Sequence, residues 1–333
     1  MENAAARLSA MMLVQAHRGP DQEGMYFSDD GRLALGNSRL AIVAPEEKLD
    51  LPLQSAIDGS VISFNGEIYD HQAQRAVLKD AGVSFRTGTD TEVLLEGLRL
   101  KGLEFLNGID GMWAFALYNP QQKSLTLGRD LLGERQMFYA KDGDELVFAS
   151  EGHTVLAGMR NRPTLDASQA LTAMRYHVAA PGQTLISELQ RVRAGHILTV
   201  DAGGEIQHRR IQRLHPEKWF DFFGADPSET AVLEKLSELL SEAVGNRLPK
   251  SVPFLSTLSG GIDSTLVASF AAEQLAGLQT LYGETHDAPL EFEGELNEYK
   301  TSVKTSEIIG STHVRVSIDA TDSAGMLKKA AAK

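Results

Sequence analysis

Between residues 32 and 200, apolar positions come in short bursts or strict alternation. They predict strands at 32–35, 40–43, 61–64, 112–118, 124–127 and 145–148. Turn signals such as Asp29-Asp30-Gly31 and Asn119-Pro120 separate them. Two segments switch to helical spacing, 71–81 and 90–101, the second with Val93, Leu94, Leu98 and Leu100 apolar. Such a mixture predicts an α+β domain built on antiparallel sheets. Residues 201–230 are polar and irregular, and a linker is expected at 206–228, dividing the chain into domains 1–205 and 229–333. Beyond it the order is helix 229–244, strand 252–258, helix 264–274, strand 280–283, helix 298–309 and strand 314–318. Alternation of this kind implies an α/β domain with a parallel sheet and helical crossovers, here with only its first three strands. Residues 326–333 read as the start of another helix, and no internal repeat is visible.

With 333 residues the chain has room for two ordinary cores. Its net charge of -13 argues against a sequence-independent hold on nucleic acid or on an anionic membrane, which needs a basic surface. No apolar run reaches the length of a membrane span, and residues 1–15 lack the charged start of a secretion signal, so a cytoplasmic location is expected. The chain contains 0 cysteines, which removes disulfides, zinc-thiolate sites and any thiol nucleophile from these residues.

Leu258-Ser259-Gly260-Gly261-Ile262-Asp263-Ser264 falls between a predicted strand and a helix carrying Leu266, Val267, Phe270, Ala271 and Leu275 on one face. A strand-to-helix turn aims free backbone N–H groups at one point and favours an anion. Gly260 and Gly261 permit close approach, Ser259 and Ser264 add hydroxyls, and Asp263 is a candidate magnesium ligand. The plain alternative is an ordinary helix start with a polar cap. The turn is neither a Walker A loop nor a GxGxxG fingerprint; it resembles the pyrophosphate-binding loop of ATP pyrophosphatases, which implies ATP as substrate. At the end of the next strand, main-chain groups of Tyr282 and Gly283 are placed to meet the adenine. The acidic segment 286–298 reads as a solvated loop.

The first domain carries His17-Arg18-Gly19-Pro20-Asp21, Ser38-Arg39-Leu40-Ala41-Ile42-Val43, Phe64-Asn65-Gly66-Glu67-Ile68-Tyr69-Asp70 and Thr87-Gly88-Thr89-Asp90-Thr91-Glu92. Downstream come Asp110-Gly111-Met112-Trp113-Ala114-Phe115-Ala116 and Arg129-Asp130-Leu131-Leu132-Gly133-Glu134-Arg135. In this order and spacing they resemble the glutaminase domain of the glutamine-hydrolysing asparagine synthetases. The likeness continues through Arg247-Leu248, Ser251-Val252-Pro253, the glycine turn, Asn297-Glu298 and Gly310-Ser311-Thr312-His313, over nearly the whole chain.

That resemblance implies a class II glutamine amidotransferase domain with an N-terminal-nucleophile αββα sandwich, followed by a partial synthetase domain of the ATP pyrophosphatase type. It implies ATP-dependent amide transfer from glutamine to aspartate or a related acceptor through an acyl-adenylate, with ATP and Mg2+, and it leaves room for a homodimer. Arg39 is then expected at the glutamine carboxylate and Asp90 at its ammonium, with Leu40, Ile42 and Glu67 lining the substrate. Asn65 and Gly66 are expected to form the oxyanion hole, and Leu258, Ser259, Gly260, Gly261, Asp263, Ser264, Tyr282 and Gly283 the ATP site. Taken singly, Arg39 also reads as a surface ion pair, Asn65-Gly66 as a hairpin turn and Asp90 as a helix N-cap.

Family enzymes begin Met-Cys-Gly followed by a strand, and that cysteine attacks glutamine. Here Met1-Glu2-Asn3-Ala4 stands in a segment that reads as a helix. The sequence therefore looks shortened at both ends, and no glutaminase or synthetase activity is expected of these residues alone. Two other readings are a non-catalytic glutamine-binding or partner subunit, and an adenylating, amide-forming relative without glutaminase activity.

Overall fold

The computed structural model describes residues 2–217, 222–224, 227–249, 252–285 and 298–318. The acidic segment 286–297, Asn297 with it, Ser251 and the helix start at 326–333 lie outside those residues. The chain divides into two units, Met1–His215 and Pro216–Lys333.

In chain order the first unit consists of α1 (Glu2–Val14), β1 (Gln22–Phe27), β2 (Ala34–Arg39), β3 (Leu53–Gln54), β4 (Val61–Ile68), α2 (His71–Asp80) and α3 (Asp90–Lys101). It continues with β5 (Gly111–Asn119), β6 (Ser124–Arg129), β7 (Phe138–Asp142), β8 (Glu145–Ala149), α4 (Gly152–Gly158), α5 (Ala167–Tyr176), β9 (Leu189–Arg191), β10 (His196–Val200) and β11 (Ile206–Arg210). The period-two alternation of β4 and β5 builds its layers. Ile62, Phe64, Ile68, Trp113 and Phe115 face α2 and α3, where they meet Leu78, Val93, Leu94, Leu95 and Leu98. On the opposite face Val61, Ala114 and Ala116 join Leu125, Leu127 and Leu198 against Met137, Tyr139 and Val192. The first face belongs to an antiparallel sheet of order β11-β10-β6-β5-β4-β3; the second packs on the β8-β7-β9 sheet and the β1-β2 hairpin. Outside these, Met11 of α1 and Val155 of α4 cover Ala140, Val147 and Leu189. The result is the expected αββα sandwich.

Among the described residues β2 pairs only with β1, and β8 only with β7. Between these two open edges lies a cavity of about 510 Å3, bordered by Leu35 and Gly36 on one side, Val147 and Phe148 on the other, Met11 and Met12 of α1, and Ala114 and Ala116 of β5. It splits the second β layer into two sheets.

Several elements differ from expectation. The strand predicted at 32–35 starts at Ala34 and runs to Arg39. The stretch 40–43 is no strand, because Arg39 draws the carbonyls of Val43 and Ala44 onto its own guanidinium and leaves Leu40 and Ile42 exposed. Asn65 and Gly66 lie inside β4 rather than at a turn. The supposed linker begins with β11, an edge strand whose polar side chains are almost all exposed, as its single partner β10 requires.

The second unit contains α6 (Glu229–Arg247), β12 (Ser256–Thr257), α7 (Ile262–Gln274), β13 (Gln279–Thr285), α8 (Glu298–Ile309) and β14 (Thr312–Ile318). Its sheet is parallel, of order β12-β13-β14. The strand predicted at 252–258 shrinks to two residues; Pro253 has no N–H to give a ladder. In α7 the buried positions are Ala268 and Ala271, whereas Leu266 and Val267 of the predicted apolar face are about half exposed.

Candidate functional site

The motif 87–92 is a helix start that satisfies itself. Thr89 is the N-cap of α3, its hydroxyl accepting the N–H of Glu92. The Glu92 carboxylate reaches back to accept N–H groups of Arg86 and Thr87, a lengthened form of the capping box. Buried Arg75 donates to the carbonyls of Thr87 and Thr89, and Gly88 N–H to Glu47. So held, Asp90 is the first residue of the helix and not its cap. Its buried carboxylate accepts the N–H of Ile68 at 3.0 Å and of Thr91 at 2.8 Å.

Ser63, Asn65 and Glu67 alternate onto the face of β4 that looks away from α2 and α3. The Asn65 amide donates to Ser150 Oγ at 3.4 Å. From the other side Arg39, ending β2, spends its four Nη hydrogens on Gln22 Oε1 and on the carbonyls of Glu47, Val43 and Ala44. Asp21 accepts the N–H of Ala41 at 2.8 Å, so the motif at 17–21 shapes the loop beside the site.

These elements surround a pocket of about 210 Å3 lined by Arg39, Leu40, Ile42, Asn65, Gly66, Glu67 and Asp90 together. All seven residues singled out for glutamine meet there. Its size suits one amino acid, below the ~300–1,000 Å3 of larger ligand sites. Arg135 and Ser150 also line it; sequence reasoning quoted the motif holding Arg135 without giving it a role, and no local signal marked Ser150. Burial pushes the Glu67 carboxyl above its ordinary value, and the charge of Asp90 adds to this. Burial likewise pushes Asp90 up, opposed by the N–H of Ile68. Asn65 and Ser150 border the larger interstrand cavity as well, whose lining mixes apolar side chains with charged ones such as Arg7, Lys141 and Glu145.

In the second unit the parallel register sets Thr257 of β12 beside Leu281 of β13, so Leu258 follows next to Tyr282. The two strands thus end side by side at the glycine turn. Leu258 is buried and donates its N–H to Leu281 O. Ser259 and Ser264 hydroxyls stand 3.0 Å apart, and the N-cap Gly261 supplies no side-chain cap. The exposed N–H groups of the first turn of α7 are therefore open to an anion. Asp263 and Gly283 are exposed, and the Tyr282 ring packs on Tyr299 at 5.2 Å. No group of three His, Cys, Asp or Glu able to hold a metal occurs among the described residues.

Gly260 has φ +85°, and a Cβ there would come within 2.6 Å of the Glu298 carbonyl and 3.1 Å of Ser302 N. Gly260→Ala is expected to push the turn off α8 at a cost of about 2 kcal/mol. Amide exchange across 258–264 should rise at least tenfold; unchanged exchange would refute the close packing.

Comparison with known proteins agrees with this geometry. Residues 1–211 match the glutamine amidotransferase domain family and residues 235–332 the asparagine synthase family. The chain belongs to the glutamine amidotransferase family, in the branch that carries an asparagine synthase segment. It is 30% identical over 273 residues to the glutamine-hydrolyzing asparagine synthetase 1 of Bacillus subtilis, covering 82% of this chain and 42% of that protein. With the glutamine-hydrolyzing asparagine synthetase B of Escherichia coli it shares 31% over 276 residues, 83% of this chain and 43% of the other. The chain thus spans less than half the length of these relatives. A Bacillus subtilis glutamine phosphoribosylpyrophosphate amidotransferase structure aligns at TM-score 0.40 and 16% identity, over 85% of this chain and 51% of that one. Among the described residues no helix is long and apolar enough to cross a membrane.

Proposed function

We propose that the first unit binds glutamine and the second the phosphates of ATP, as parts of an enzyme that moves the glutamine amide onto an adenylated aspartate or related acid, releasing AMP and pyrophosphate. The observation that carries this reading is the gathering of Arg39, Asn65, Gly66, Glu67 and Asp90 around one amino-acid-sized pocket. The buried Asp90 and half-buried Glu67 carboxylates suit an ammonium, and Asn65 with the Gly66 N–H suits a carboxamide oxygen. Asp263, a lone exposed carboxylate, suits a Mg2+ brought in by the nucleotide phosphates rather than a resident ion. Because these 333 residues contain 0 cysteines, they bind glutamine without hydrolysing it.

Calorimetry with glutamine and an ammonia assay test this together. Saturable binding that Asp90→Asn weakens at least tenfold, with no ammonia released, is the expected result. Absence of glutamine binding at millimolar concentration, or ammonia release lost in Asn65→Ala, would overturn it.

The affinity should also depend on pH. An ammonium needs Glu67 and Asp90 ionised, and both take up protons above the ordinary carboxylate range. Binding therefore weakens as pH falls toward that range. The stability contribution runs the other way: a raised folded-state pKa favours folding when protonated, and that gain disappears as pH rises through the ordinary and then the raised value. Affinity constant from neutral pH down to 4.5, the ordinary glutamate value, would exclude these carboxylates as the ammonium site.

A further inference from the structure

Helix α8 turns serines to its sheet. Its buried positions are Ser302 and Ser306, and among the described residues none of its side chains joins the apolar core of the second unit. A helix held with so little apolar burial depends on its polar contacts. These converge on His313. The β13–β14 register sets half-buried His313 opposite Thr280, so both side chains leave the same face of the sheet. The imidazole Nδ1 stands 2.9 Å from Thr280 Oγ1, and Nε2 stands 3.1 Å from Ser302 Oγ. Buried Thr280 meets Ser311 Oγ at 2.9 Å.

Counting hydrogens fixes the state of the ring. The single hydroxyl hydrogen of Ser302 goes to the Tyr299 carbonyl at 2.8 Å, so toward His313 the Ser302 oxygen accepts, and Nε2 carries the imidazole proton. Nδ1 is then an acceptor. It takes the Thr280 hydroxyl hydrogen, and Thr280 Oγ1 in turn accepts from Ser311. Burial holds the imidazole below its ordinary pKa, which favours this neutral form.

Ser302 is also where α8 meets the glycine turn. A Cβ on Gly260 would come within 2.6 Å of Glu298 O, 3.0 Å of Thr301 Cβ and 3.1 Å of Ser302 N, so the turn rests directly on the start of this helix. Inside the turn the hydrogen bonds are long, Ser259 N–H to Ser264 Oγ at 3.2 Å and Gly261 N–H to Ser259 Oγ at 3.4 Å. Its shape is set largely from outside.

We propose that His313 is a positioning residue for the nucleotide phosphates: by fixing Ser302 it holds the start of α8 against Gly260 and keeps the N–H groups of 260–264 aimed at one point. The imidazole acts through Ser302 and not on the nucleotide. This rests on the reading of the turn as the site of the ATP phosphates.

The test compares ATP with adenosine, which has no phosphate, by calorimetry in the presence of Mg2+ on the 333-residue chain and on His313→Ala, His313→Gln and His313→Asn. The native chain should prefer ATP by about 10-fold or more. His313→Ala should lose most of that preference by weakening ATP alone. Glutamine, whose amide N–H reaches as far as Nε2, should restore it; asparagine, which reaches only as far as Nδ1, should not. A merely structural histidine would weaken both ligands together. In the native chain the imidazole nitrogen chemical shifts should show Nε2 protonated and Nδ1 bare. A ring protonated at Nδ1 alone, an undiminished preference in His313→Ala, equal loss of both ligands, or a His313→Gln no better than His313→Asn overturns the role of His313 while leaving the phosphate turn standing. If the native chain does not prefer ATP to adenosine, the phosphate reading falls and this assignment falls with it. Should His313→Ala not fold, His313→Gln against His313→Asn decides the matter alone.

Discussion

Asp130→Ala is expected to lower the melting temperature of the first unit by about 10–15 °C. One carboxylate, 2% exposed, accepts four backbone N–H groups there. Alanine leaves all four without an acceptor, and each orphaned buried donor costs about 1–3 kcal/mol. Some will recover partners by shifting or by admitting water, so about 4–5 kcal/mol is the expected net loss. At about 2–4 °C per kcal/mol for a unit of this size, that gives the shift stated. The donors come from two places, Trp113 on central strand β5 and the loop after β6, so the damage should spread from loop to sheet. Asp130→Asn is the informative companion: its single amide oxygen still serves two donors, and it should lose roughly half as much. Calorimetric melting of both variants checks this. A shift below about 3 °C for Asp130→Ala would mean that the loop finds other partners for these N–H groups.

How far the sequence discloses such a site depends on the distance over which its residues cooperate. The strands β4 and β5 announce themselves, because most apolar side chains of 61–68 and 111–119 answer to one of two cores and alternate between them. Local chemistry also marks the α3 start, where Thr89 and Glu92 form a recognisable cap. By contrast β1 reads Gln-Glu-Gly-Met-Tyr-Phe: it pairs only with β2, only Tyr26 of it packs on a core, and its sequence carries no apolar-polar alternation. The same holds for β11. At 40–43 the apolar run is real but serves a pocket wall rather than a ladder. The seven pocket residues were legible through family likeness. That likeness could not show that Arg39 is already occupied by carbonyls lying within eight residues of it in the chain. Which donors remain unspent is decided by folded loops.

Gly66→Ala should be nearly as damaging, for a reason found in the neighbouring strand. Gly66 sits opposite Trp113 in the β4–β5 ladder, and a Cβ on it would stand 2.2 Å from Met112 O and 2.8 Å from Trp113 Cα. Across the pair a Cβ on Gly111 would meet Glu67 O at 2.5 Å, so the two backbones approach closely from both sides. Neither obstacle is a flexible side-chain end. Relief requires β4 and β5 to part in the middle of a six-stranded sheet whose two faces are both packed. Overpacking of this kind costs about 3 kcal/mol, hence about 6–12 °C in melting temperature. Parting the strands also moves the Gly66 N–H and Asn65, so glutamine binding should fall at least tenfold even where the protein stays folded. Gly108→Ala is the control: nothing lies within 4 Å of the added methyl, and its effect should stay within about 0.5 kcal/mol. Should Gly66→Ala melt with the native chain and keep its glutamine affinity, the close approach of β4 to β5 would not be what places the Gly66 N–H and the Asn65 amide proposed as oxyanion donors.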